Sequence, residues 1–475
     1  DPVQVLQRYL QIDTTDSQND DKVCHFWGDI FSAFNVRNRI VRSGNFHNFE
    51  TLINANKSEK ILFQNHLDVV PATAQTWNFD PFGGVIHDGF LYGRGALDMK
   101  SISVMQAYAF LRLVHENHPR KAMLKFCSLV QEETTSEHGA RFYVEHLKQH
   151  GYQNLIVLGE GGFGVTITDV FDGILFLYEA EQKGLLWITV TVHSTGGHGS
   201  IGGKTRRKNP IIRAAKVAQK LSSFAFPIKL ERSVITFIEM LLNNSSSKLI
   251  RAVSIIPFFK AFLFRTRWGS ILLDVLITRI SRIPELFRTS LNVTNISTDK
   301  ISGVSDRPEL RRSLVQRVFK TRGRSRLHPV TTLGVNVVPT YATLTCDIRF
   351  NSYYNIESLL TQLKKVLPKD ADLRIINSQD YSSSDFRLLH ETVTTELKNI
   401  YGSKALASPI LFIASSDNYF FRKAGHQAFG FSPIMVTMDD LQRIHGDDER
   451  IGIAAFRKGC EDYYCVIKSL LDKMK

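Results

Sequence analysis

The feature that most constrains this fold is a series of apolar runs, each ending in histidine or acid and separated by helical patterns. Ile61 to Val70 reads as a buried strand that carries His66 and Asp68 and stops at Pro71. Ala122 to Val130 is a second run, followed at once by Gln131-Glu132-Glu133. Leu155 to Leu158 is a third, followed by Gly159-Glu160. Gln4 to Leu10, Ser101 to Val114 and Ala140 to Gln149 have helical spacing. Strands alternating with helices predict an α/β domain with a mostly parallel sheet covered on both faces.

From Leu185 the pattern changes. Leu186 to Val192 alternates, a Gly-rich loop follows, and Asn209 to Leu221 reads as a helix. Strands at Tyr341 to Phe350 and Leu373 to Ile376 flank a helix at Ile356 to Val366, which makes a small α+β layer. From Asp385 the first pattern returns. The reading is therefore two domains: a larger one from residues 1–183 and 381–475, and an inserted one spanning 184–380. A chain of 475 residues is long enough for both cores.

Charge is uneven. Of the net +13, a net of +12 falls between Lys248 and Arg326, where 17 Lys and Arg face 5 Asp and Glu. A nucleic-acid binder would spread its charge differently, so no nucleic-acid partner is expected. Within this basic insertion (about 245–327) lie apolar clusters that include Phe258 and Phe262, with cations such as Arg322, Arg324 and Arg326 further on. The bland reading is a helical insertion with a solvated basic face. The sharper one is an apolar wall for a long acyl chain, with a basic face against anionic lipid.

Five scattered cysteines with no CxxC pair argue against a disulfide framework or a cysteine zinc site. No run of 18 uncharged apolar residues occurs, so a spanning helix is not expected. Sequons at Asn56, Asn243, Asn244, Asn292 and Asn295 tilt the reading towards a secreted protein or a secretory or vacuolar lumen. A chain opening at Asp1 is expected to continue a longer precursor, so targeting is not read from it.

His66 and Asp68, two apart on a strand, point to one face, where a carboxylate can hold a metal-binding imidazole in its tautomer. Asp98 falls at a strand-to-helix junction, where a carboxylate can bridge two cations or simply cap the helix. Adjacent Glu132 and Glu133 point apart, so one can ligate metal while the other reaches a water. Glu160 again ends an apolar strand, and His445 in Arg443-Ile444-His445-Gly446-Asp447-Asp448-Glu449-Arg450 supplies a second histidine. Ser194 to Ser200 is followed by Gly203-Lys204-Thr205, which invites a phosphate-loop reading. That motif needs glycine at position 198, which is His, so the spacing fails.

Together the segments NHLDVVP, DPFGGVIHDGFLYGRGALDMK, QEE, GEGG, STGGHGS, GVNVVP, DIRF, SSDN and RIHGDDERI, running in order from Asn65 to Ile451, resemble a known family. It is the dizinc aminoacylase/carboxypeptidase metallopeptidase family, and the long central segment most resembles its carboxypeptidase S and N-fatty-acyl-amino-acid synthase/hydrolase branch. The resemblance implies a phosphorylase/hydrolase-like catalytic domain with an inserted ferredoxin-like lid or dimerisation domain, and a homodimer. It implies two zinc ions, replaceable by cobalt: one on His66 and Glu160, the other on Glu133 and His445, with Asp98 bridging. Glu132 becomes the general base, and Asp68 joins the catalytic set as the partner of the His66 imidazole. His198 and Asn336 would stabilise the oxyanion, and Arg349 would hold a substrate carboxylate. Asp417 and Asn418 fall in the substrate-binding set. Tyr419 stands where the family has arginine, with Arg422 three residues on as a substitute.

The implied reaction is cleavage, or in reverse formation, of the amide bond of N-acyl amino acids, N-fatty-acyl ones foremost. Two rivals stand beside it: a carboxypeptidase or dipeptidase acting on peptides, and a lipid or membrane-surface binding protein on an inactive hydrolase scaffold.

Overall fold

The computed structural model describes residues 1–118, 122–167, 173–198, 209–224, 226, 230–245, 288–298 and 337–474. Asn336, Phe258, Phe262, Arg322, Arg324, Arg326 and most of the basic insertion lie outside these described residues.

Helices α1 (Pro2–Leu10) and α2 (Asp20–Ala33) lead into the hairpin β1 (Asn38–Ser43) and β2 (Phe46–Ile53). The Asp1 carboxylate, accepting from Val3 N–H, and Pro2 at the first position start α1. Strand β3 (Glu59–His66) is followed by the short hairpin β4 (Val85–His87) and β5 (Phe90–Tyr92), then α3 (Lys100–His115). Next come β6 (Ala122–Leu129), α4 (Phe142–Gln149), β7 (Ile156–Gly159), β8 (Phe163–Ile167) and β9 (Gly173–Gln182).

The chain then enters β10 (Gly184–His193), β11 (Gly197–His198), α5 (Pro210–Ser222) and α6 (Arg232–Asn244). It continues through β12 (Ser290–Thr298), β13 (Val337–Val338), β14 (Tyr341–Phe350), α7 (Ile356–Val366) and β15 (Ala371–Gln379). A capping box between Asn355 and Ser358 starts α7. The return run is β16 (Ser382–Ser383), α8 (Arg387–Tyr401), β17 (Ala405–Phe412), α9 (Asn418–Lys423), β18 (Gln427–Gly430), α10 (Met438–Gln442), β19 (Arg450–Gly452) and α11 (Ile453–Lys473).

The chain divides into two compact units. The first comprises Asp1–Lys183, Leu230–Phe287 and Tyr381–Lys475; the second comprises Gly184–Lys229 and Arg288–Asp380. In the first, ten strands form one sheet in the order β1-β2-β6-β3-β7-β18-β9-β16, with β8 and β17 also on β9. The middle run β6-β3-β7-β18 is parallel, as the near-continuous apolar strands suggest. The flanks are antiparallel at β1–β2, β2–β6, β18–β9, β8–β9 and β16–β9, so the sheet is mixed rather than mostly parallel. The two-residue link between β1 and β2 is too short for the crossover that parallel pairing requires. Helices α1, α2, α3, α8 and α11 bury one face of the sheet, and α4 and α9 the other.

The second unit holds a four-stranded antiparallel sheet, β12-β14-β10-β15. Helices α5 and α7 pack on it through Ala214, Val217, Leu359 and Leu363, a ferredoxin-like β-α-β-β-α-β arrangement. One segment departs from the expected 184–380 domain. Helix α6 lays Phe237, Met240 and Leu241 against Leu175 and Leu406 of the first unit's sheet, and Ser233 bonds the buried Glu181 carboxylate. The apolar face of α6 is complementary to the exposed side of β9 and β17, a tertiary preference that helical spacing does not encode. No helix among the described residues is long and apolar enough to cross a membrane, and all five cysteines are free thiols.

Candidate metal centre

The parallel strands deliver their acids and histidine to one edge of the sheet because β3, β6 and β7 run in the same direction and end together. His66 closes β3, Glu132 and Glu133 follow β6, and Glu160 follows β7. His66 Nε2 lies 3.2 Å from Asp98 Oδ1 and 3.2 Å from Glu160 Oε2. His445 Nε2 lies 3.1 Å from Glu133 Oε1 and 3.2 Å from the other Asp98 oxygen. Two tripods thus meet at Asp98, and Glu132 joins His66 and Glu133 in a third grouping.

The hydrogen bonding shows what this set suits. His66 Nδ1 sits 2.9 Å from the Asp68 carbonyl oxygen, which can only accept, so Nδ1 carries the proton. Nε2 then faces two carboxylate oxygens, an arrangement that a proton or a metal cation at Nε2 stabilises. Mixed imidazole and carboxylate donors, each facing a shared bridging acid, fit a pair of divalent ions and suit Zn²⁺.

The electrostatics agree. Burial raises Glu160 to about 8, and burial together with the facing Glu160 raises Glu132 well above the usual carboxylate range. Burial works to lower His66, but its contacts with Asp98 and Glu160 outweigh this and hold it well above the ordinary histidine value. Contacts with Asp98 and Glu133 bring His445 to about 10. Asp98 is held low despite its burial, because both imidazoles face it.

Several expected roles look different in three dimensions. Strand β3 ends at His66, so Asp68 lies just beyond it. The imidazole is held by the Asp68 backbone carbonyl, while the nearer carboxylate oxygen lies 3.8 Å from Nδ1. The Asp68 carboxylate instead accepts from the backbone N–H groups of Glu132 and Glu133, at 3.1 and 3.0 Å. It therefore fixes the turn that points these two acids apart.

Asp417 and Asn418, expected at the substrate, are only 1% and 0% exposed. Asp417 accepts from Ser136 Oγ at 2.7 Å and Gln64 Nε2 at 3.2 Å, and burial raises it to about 7. Asn418 Nδ2 donates to the Glu160 carbonyl at 3.1 Å and the Glu179 carboxylate at 2.7 Å. Asn418 supports Glu160 from behind, and neither residue has surface for a substrate. Arg422 cannot replace the missing arginine either: its guanidinium is buried, paired with Glu179 at 2.7 Å and donating to the Ala428 carbonyl.

In the second unit, His198 is exposed on β11, paired in register with Val337. Arg349, on β14, donates through Nε to Asp347 at 2.9 Å, and its buried Nη1 has no hydrogen-bond partner.

Sequence reasoning gave Arg94 and Glu449 no role. The Glu449 carboxylate collects four donors around Asp98. The only sequence signal was its place at the end of the His445 motif, a position that says nothing about contacts hundreds of residues away.

Comparison with known proteins fits this geometry. The profile of peptidase family M20/M25/M40 matches residues 62–469. The human N-fatty-acyl-amino acid synthase/hydrolase PM20D1 is 25% identical over 411 residues, covering 83% of this chain and 71% of its own. The structure of an M20 family metallo-carboxypeptidase, Sso-CP2 from Sulfolobus solfataricus, superposes with a TM-score of 0.67 at 16% identity, covering 99% of both chains. A Bacillus subtilis protein described as a dinuclear metal binding peptidase from the M20 family superposes with a TM-score of 0.56 at 10% identity, covering 99% of this chain and 98% of its own.

Proposed function

The chain belongs to peptidase family M20/M25/M40, a family of metal-dependent peptidases and amidohydrolases, and on that premise we propose that it cleaves, or in reverse forms, the amide bond of N-acyl amino acids, including N-fatty-acyl ones. The observation that carries the amide chemistry is Asp98 facing both imidazoles, with Glu132 beside them. The acyl preference is supported by the likeness to the human N-fatty-acyl-amino acid enzyme across most of the chain.

His66 and Glu160 would hold one zinc ion, Glu133 and His445 the other, and Asp98 would bridge them. Bound there, the two ions would supply Lewis acidity for the amide carbonyl and for water. Glu132, half-buried and with raised basicity, would take the proton as a water oxygen attacks the carbonyl carbon. The same carboxyl then gives that proton to the nitrogen as the C–N bond breaks. Asp68 keeps Glu132 aimed by holding its backbone N–H. His198 and Asn336 are proposed as oxyanion donors, and Arg349 as the group that holds the substrate's carboxylate.

A peptidase reading is favoured by a different observation, the full-length structural likeness to a metallo-carboxypeptidase. One panel separates the two: N-acyl amino acids from acetyl to long-chain acyl, assayed beside dipeptides with the zinc-loaded protein. Each methylene buried contributes about 0.8 kcal/mol, so kcat/KM should rise up to roughly fourfold per CH₂ along the series. Dipeptides outpacing every acyl substrate would replace the proposal with the peptidase reading.

A further inference from the structure

Three successive acids, Asp447, Asp448 and Glu449, come just after His445: the first two hold the Thr76–Asn78 loop and the third holds the Arg94–Asp98 turn. Asp447 accepts from Thr76 Oγ1 at 2.8 Å, and Asp448 takes both the backbone and the side-chain N–H of Asn78. Glu449 turns inward and is wholly buried. One of its oxygens accepts from Leu97 N–H at 2.8 Å and Asp98 N–H at 3.1 Å; the other accepts from Gly95 N–H at 3.1 Å and Arg94 Nη1 at 2.7 Å.

Arg94 closes the circuit. It is 2% exposed, its guanidinium lies over the Trp77 ring at 5.2 Å, and its Nη2 donates to the His445 carbonyl at 3.4 Å. The backbone adds a further tie, Gly93 N–H to the Glu449 carbonyl at 3.0 Å, continuing the β5–β19 pairing. His445 has a left-handed backbone, φ +62°, as does Asp448 at φ +53°, so this loop needs outside contacts to keep its shape.

We propose that Glu449, locked by Arg94, is the positioning residue that sets the separation of the bridging Asp98 from His445 and so makes two-metal binding possible. The proposal rests on the dimetal reading above. A carboxylate with four donors cannot be replaced without loss, because an amide at the same place turns one pair of acceptor contacts into donor facing donor. Arg94 and Glu449 touch neither substrate nor the reacting atoms; they act through Asp98 and His445. Residues that orient ligands typically change metal affinity 10–100-fold when removed.

The test is titration of metal-free protein with Co²⁺, followed by visible absorption and calorimetry. Wild type should take up two equivalents. In Glu449→Gln the equivalent on the Glu133–His445 side should weaken about 10–100-fold, with an altered Co²⁺ spectrum, while far-ultraviolet circular dichroism shows a folded chain. A merely structural role would lower the unfolding midpoint and leave affinity and spectrum of the folded protein unchanged; that result overturns the proposal. If Glu449→Gln does not fold, Arg94→Lys serves, since it keeps the charge and loses the fork between Glu449 and the His445 carbonyl. Wild-type Co²⁺ binding in Arg94→Lys overturns the proposal equally. Fewer than two equivalents in wild type would instead remove the dimetal reading itself, so the two failures are distinguishable.

Discussion

Gly159 ends β7 immediately before Glu160, and a methyl group there has nowhere to go. A Cβ on Gly159 would lie 2.3 Å from Asn418 Oδ1 and 2.7 Å from Gln64 Oε1. Both atoms end side chains, so on a surface they would swing aside at little cost. Here both residues are buried, and their NH₂ groups are engaged: Asn418 with Glu160 and Glu179, Gln64 with Asp417. Moving Asn418 forfeits one bond to a carboxylate and one to a carbonyl, about 3 kcal/mol together. Crowding of the surrounding core adds roughly 1–3 kcal/mol. Gly159→Ala should therefore destabilise the first unit by about 4–6 kcal/mol, a large part of the roughly 5–15 kcal/mol that holds a domain. Urea unfolding followed by tryptophan fluorescence reads the stability, and Co²⁺ titration of the folded fraction reads the displacement of Glu160. A Gly159→Ala protein with a wild-type midpoint and wild-type metal affinity would refute the idea that Asn418 and Gln64 are fixed in place.

Other expectations concern the acids. Glu132→Gln should cut turnover by at least about 10²–10⁴-fold while keeping two metal equivalents, whereas Glu133→Gln should lose metal; equal metal loss in both variants would reverse the assignment within the pair. Glu50 is buried, which pushes it up, but Lys125 at 2.6 Å and Tyr143 bring it down to about 2. Its folded value lies below the ordinary 4.5, so its stabilisation is present above that pH and lost as pH falls towards 2. Lys125→Met, which removes the buried partner of this carboxylate and leaves it Arg39 and Tyr143, should cost up to about 3–5 kcal/mol at neutral pH and leave less stability to lose on acidification, as denaturant midpoints across pH would show.

The candidate groups His66, Glu132, Glu133 and Glu160 were legible because they end or follow strongly apolar strands, where periodicity is clearest, whereas Asp98 and His445 lie in loops and stood out only through their motifs. Tyr341 to Phe350 and Ile356 to Val366 coincide with β14 and α7 for the same reason. What resisted was anything decided by partners distant in sequence. Asp417 and Asn418 fell in the substrate-binding set, yet the fold buries both, since a motif shows residue types and not which way they face. Asp68 was two residues from His66 in the right alternation, but β3 ends first and the carboxylate turns to the Glu132–Glu133 amides. The antiparallel flanks of the sheet and the docking of α6 on β9 and β17 likewise depend on partner surfaces, as does the Arg94–Glu449 pair.

The two tripods meet at Asp98 but are far apart in time during synthesis. His66, Asp98, Glu133 and Glu160 all fall between positions 66 and 160, while His445 and the Glu449 clamp follow only at positions 445–449. At about 5–20 residues per second, roughly 15–60 s separate the emergence of Glu160 from that of His445. Strand β18, which pairs with β7 beside the site, arrives in the same late stretch. A nascent chain therefore exposes a cluster of acids and one imidazole well before the partner histidine exists. On the proposed dimetal reading, complete loading must wait until His445 has been made.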